Sequence, residues 1–111
     1  MGALGAYGLL FLAACFEAGG DALVRLGLQS HHNVARVGLF LAGAAVLFAY
    51  GLVVNAPPWD FGRLLGAYVT LFFVVAQLIN LAVFGVKPEL PVLVGGALIV
   101  AGGLVITLWR A

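Results

Sequence analysis

Nearly the whole chain is made of four long apolar runs, each separated from the next by a short polar break. The runs cover about 3–28, 35–54, 61–84 and 90–109. None alternates apolar and polar residues as a barrel strand does, so each predicts an α-helix. A bilayer core about 30 Å thick is crossed by about 20 apolar residues rising about 1.5 Å each, a length every run reaches. The breaks carry turn chemistry. Ser30-His31-His32-Asn33 is a polar turn. Asn55-Ala56-Pro57-Pro58-Trp59-Asp60 has two prolines that end one helix and an aspartate placed to cap the next. Gly85-Val86-Lys87-Pro88-Glu89 is the third break. The pattern predicts an all-α membrane protein, one domain over residues 1–111 with four transmembrane helices.

Composition narrows the class. Of 111 residues, 65% are hydrophobic and 8% are charged, against roughly 25% charged in a soluble domain. Five basic and four acidic side chains do not cover a soluble surface. That excludes a soluble globular domain and a disordered segment. A net charge of +1 without a basic patch excludes a nucleic-acid partner. The single cysteine, Cys15, excludes an intramolecular disulfide and a multi-thiolate metal site. His31 and His32 read as a solvated turn, so neither a metal nor a cofactor is expected. The first run lacks a positive leading region, is too long for a signal peptide and carries two acids, so it reads as a retained span. The loops leave no room for a catalytic domain and hold no nucleophile motif. The expectation is therefore a non-enzyme: a transporter or channel subunit, or a structural membrane protein, multi-pass in a bacterial or archaeal plasma (inner) membrane.

Four spans put both termini on one side. Arg25, Arg36 and Lys87 lie toward the other side, and Arg63 and Arg110 toward the side of the termini. Arg25 counts for less, because it falls within the end of the first span. So even a distribution permits insertion both ways up.

Glu17 lies near the middle of the first span. Insertion scales put a midspan charge at roughly 2.5–3.5 kcal/mol, so such a residue is read as functional. Hydrocarbon favours its neutral, protonated form, and once ionised it is a counter-charge for a cation. Asp21 and Arg25 follow at one-turn intervals on the same face. The simplest assignment pairs Asp21 with Arg25 and leaves Glu17 free to exchange protons. The alternative is a ladder, Glu17–Asp21–Arg25, that only holds helices together. On the third run Tyr68, Gln77 and Asn80 share a face, and amides in lipid need partners, so this face should look inward. Tyr68 offers a ring for a cation and a hydroxyl for Glu17, whereas Gln77 and Asn80 equally suit helix-packing hydrogen bonds. Phe72, Phe73 and Phe84 read as core or lipid-facing, and Trp59 and Trp109 as interface anchors. In the fourth run Gly95, Gly96, Gly102 and Gly103 recur two turns apart. Gly95 and Gly102 form a smooth stripe, which suits a homodimer seam or packing within one chain.

Taken together, these residues resemble the small multidrug resistance family, and most closely its YnfA-like branch. The likeness covers nearly the whole chain and is weakest in the second span. The acid of the first span is Glu17, followed by a glycine three residues later, Gly20, and a base eight later, Arg25. Phe84-Gly85, Leu90-Pro91, Gly95 and Gly102 match the family's third loop and fourth helix in order and spacing. Gly62-Arg63 with Ala67-Tyr68, and Gly85-Val86-Lys87, look like YnfA-like motifs. The chain departs from the family in three ways. Tyr68 stands at the place of the family's active-site tryptophan. Asp21 stands where many members carry a small or hydroxyl residue. Ala13, Ala14 and Gly20 replace the usual hydroxyls near the acid. The resemblance implies an antiparallel, dual-topology homodimer whose two copies of Glu17 bind either protons or a small organic cation. That competition would couple the two fluxes by alternating access. The function it implies is proton-coupled efflux of hydrophobic or guanidinium-type cations. A structural or accessory subunit, and a lipid-headgroup flippase subunit, are the other readings.

Overall fold

The computed structural model describes residues 3–109, so Arg110 of the charge count lies outside the described residues. The chain folds into α1 (Ala3–Gln29), α2 (Asn33–Val54), α3 (Phe61–Ala82) and α4 (Leu90–Leu108). Several helix ends have a reason in the sequence. Asp60 caps α3 by accepting the backbone N–H groups of Gly62 at 3.3 Å and Arg63 at 3.0 Å, which satisfies donors a first turn leaves orphaned. The Asn55 amide donates to the Gly51 carbonyl at 2.8 Å and closes the end of α2. After α3, Gly85 takes a positive φ of 66°, and Val86 returns its N–H to the Asn80 carbonyl at 3.1 Å. A side chain at 85 would strain that turn. For this reason α3 ends two residues short of the apolar run that predicts it. Pro91 sits in the first turn of α4, where no N–H is missed.

Helices α2, α3 and α4 are each long and apolar enough to cross a membrane. Helix α1, with 27 residues, is the longest and carries Glu17, Asp21 and Arg25. The packing is an open row: α1 touches α2 and α3, and α4 touches α3 alone. Small residues set the close approaches. Gly20 on α1 and Gly43 on α2 cross so tightly that a Cβ on Gly43 would lie 3.1 Å from the Gly20 carbonyl oxygen and 2.7 Å from Val24. Ala13, Ala14 and Ala18 form the buried stripe of α1, meeting Leu64, Ala67, Tyr68 and Val75 of α3.

The four glycines of α4 divide into two pairs. A Cβ on Gly96 would lie 2.6 Å from Phe73, and one on Gly103 would collide with Thr70, so these two pack on α3 within the chain. The Thr70 hydroxyl donates to the Ile99 carbonyl at 3.2 Å and fastens the same seam. Gly95 and Gly102 meet nothing and face outward. Around them α4 exposes Leu90, Leu93, Val94, Leu98 and Val105, an apolar surface suited to lipid or to another helix.

Candidate functional site

The buried alanines on both sides of Glu17 carry too little bulk to hold α3 away. As a result the carboxylate and the Tyr68 phenol meet between the helices: Tyr68 donates a 2.7 Å hydrogen bond to Glu17 Oε1. Tyr68 is 4% exposed. Its ring lies 6.0 Å from Phe72, near-stacked, and 5.8 Å from Tyr50, centroid to centroid. Tyr50, from α2, packs against the same buried core. The half-buried Glu17 carboxylate thus meets a phenol whose ring lies in a row of three aromatics from two other helices. A phenol donor on an ionised carboxylate makes a charge-assisted bond. It leaves the remaining lone pairs for a proton or a cation, and the ring faces suit the same cation.

Tyr50 is absent from the residues singled out in the sequence. Its signal was nevertheless present, because beyond Asn33 and Arg36 near the helix start it is the one polar side chain inside α2. Phe72, which reads as core or lipid-facing in sequence, packs against the core and stacks near Tyr68.

A second group of polar side chains lies one turn further along α1. Asp21 and Arg25 line a cavity of about 250 Å³ together with Gln77, Asn80 and Phe84 from α3 and the turn after it. The face carrying Gln77 and Asn80 does look toward α1, and it meets the Asp21 level. The expected Asp21–Arg25 ion pair is not formed among the described residues. Arg25 instead places its guanidinium over the Phe84 ring, 5.6 Å from the centroid. The i,i+4 rule considers only the residue's own helix, and here the α3 terminus brings a ring within reach. The interior side-chain hydrogen bonds are Tyr68 to Glu17 and Thr70 to Ile99, so the Gln77 and Asn80 amides have no partner among the described residues. A larger apolar cavity of about 610 Å³ lies between α3 and α4, with Phe73, Leu93 and Val100 among its walls. Its one polar side chain is Gln77, which leaves it without the means to bind charge. Trp59, read as an interface anchor, packs edge-on against Tyr7 at 5.3 Å.

Residues 4–111 match the model of a family described as "Uncharacterised BCR, YnfA/UPF0060 family". The chain is 37% identical to a UPF0060 membrane protein of Frankia casuarinae over 107 residues, covering 96% of this chain and 94% of the relative. It is 37% identical to one from Mycolicibacterium vanbaalenii, covering 85% of each chain. It is 35% identical to one from Saccharopolyspora erythraea, covering 88% of this chain and 87% of the relative. No solved structure matches significantly. With three helices apolar enough to span a bilayer and a family match running through nearly every residue, this chain is a membrane protein that belongs to the YnfA/UPF0060 family.

Proposed function

We propose that the chain is a carrier of the small multidrug resistance type, exchanging protons for hydrophobic or guanidinium-type cations across the plasma (inner) membrane as an antiparallel homodimer. The observation that carries this reading is the Glu17–Tyr68 hydrogen bond beside the packed rings of Tyr50 and Phe72. A carboxylate at this depth is costly, and among the described residues no base is paired with it. Protonated, it is compatible with hydrocarbon. Ionised, it is a counter-charge held by one phenol, and the surrounding rings favour an organic cation over water. The same oxygens cannot hold a proton and a cation together, so loading one releases the other. In this reading the chain is a carrier and not an enzyme. The open Gly95–Gly102 stripe supports a second copy docking on α4, which has only α3 beside it in the single chain. A purely structural role would need the acid and base of α1 closed into a ladder, and Arg25 turned to Phe84 leaves that ladder open.

The test is proton release. Adding tetraphenylphosphonium to detergent-solubilised, weakly buffered protein should acidify the solution, and Glu17→Gln should abolish the signal while the protein stays folded. Absence of release from the wild type would overturn the carrier reading.

A further inference from the structure

We infer that the cavity between Asp21 and Arg25 binds a small zwitterion, a compact molecule carrying both an ammonium and a carboxylate. The inference rests on the carrier reading only in treating that molecule as cargo. Asp21 and Arg25, both exposed in the single chain, stand one turn apart on α1, about 6 Å along the axis, and line one open cavity of about 250 Å³. Their charges are opposite, yet they do not neutralise each other. Arg25 rests over Phe84, a contact that engages its charge without using up its N–H donors. Gln77 and Asn80 reach the same cavity with donors and acceptors uncommitted.

Electrostatics decides the class of ligand. A simple cation attracted to Asp21 is repelled by Arg25, and a simple anion meets the reverse. A zwitterion satisfies both charges at once, each at its own end. Its carboxylate meets the guanidinium in a charge-assisted bond, its ammonium meets Asp21, and the two amides complete the remaining bonds. The volume suits an amino-acid-sized molecule. Glu17, one turn back along α1, is not among the walls of this cavity.

Titration calorimetry on the detergent-solubilised protein at neutral pH tests this with 4-aminobutanoate and its methyl ester, which keeps the ammonium and loses the carboxylate. The wild type should bind the zwitterion at least about tenfold more tightly than the ester. Arg25→Gln should reduce that ratio to near one while ester binding persists, which also shows that the variant is folded. Glu17→Gln should keep the preference. Equal affinity of the wild type for both compounds, a comparison that needs no variant, would refute the site, and so would an undiminished preference in Arg25→Gln. A preserved preference without tetraphenylphosphonium-driven proton release would support the site and sink the carrier reading instead.

Discussion

The phenol of Tyr68 on α3 reaches the carboxylate of Glu17 on α1 at 2.7 Å, joining residues 51 positions apart in the chain. The contact exists because α1 presents alanine at 13, 14 and 18, all buried. Tyr68→Phe keeps the ring and removes the donor. A hydrogen bond to a charged group contributes about 1.5–3 kcal/mol, so cation affinity should fall by about tenfold or more. Tyr68→Leu, which also removes the ring, should fall further. Binding of a fluorescent cation to purified protein measures both. Equal affinity in Tyr68→Phe and wild type would show that the phenol does not hold the counter-charge.

Ala18→Leu tests the approach itself. Ala18 is 5% exposed, and a larger side chain there must push α3 outward or force strained rotamers, at about 1–3 kcal/mol. Both Tyr68 and Phe72 would move with α3. Thermal stability in detergent should drop, and cation affinity should drop with it. Leu12→Ala, at an exposed position of the same helix, should leave binding alone.

The hydrophobic runs alone made the helices legible, because a bilayer demands about 20 apolar residues per crossing and tolerates few breaks. Asp60 was legible as a cap because a short acid after two prolines has one common use. Glu17 stood out through the cost of its charge. What sequence spacing leaves hidden is which neighbour a side chain finds across a helix boundary. Arg25 has an acid at i−4, and yet it meets Phe84, which comes from the turn after α3. Tyr50 is a lone phenol near the end of an apolar helix, with no periodic companion to give it a face. The glycine pairs 95/102 and 96/103 have the same period, and only packing separates the inward pair from the outward one.

Orientation should be steerable. The basic residues divide three to two between the two sides by sequence, a bias small enough for one or two added lysines to outweigh. Lysines added in the 30–33 turn should commit the population one way, and lysines in the 55–60 break the other way. Each committed variant alone should lose transport, and co-expression of the two should restore it. Full transport from one fixed orientation would rule out an obligatory antiparallel dimer.

The adjacent glycines of α4 offer a sharper test of the seam, because they separate folding from association. Gly103 lies against Thr70, whose hydroxyl is held by the Ile99 carbonyl. Gly103→Ala therefore forces Thr70 to rotate and lose that bond, or forces α4 away from α3. Overpacking of this kind costs about 1–3 kcal/mol, more than the roughly 0.5–1 kcal/mol that alanine returns in helix preference over glycine, so the single chain should become less stable. Gly102 has open space before it, and Gly102→Ala should leave the fold of one chain unchanged or slightly firmer. Gly102→Leu keeps that neutrality within the chain, yet places bulk where a second α4 must approach closely. The expected result is a folded, helical monomer in detergent that has lost transport, read by size-exclusion with light scattering. Cross-linking through a cysteine beside Gly102, with Cys15 replaced, would locate the contact directly. If Gly102→Leu dimerises as well as wild type, the outward stripe is a lipid face, and the second copy must dock elsewhere.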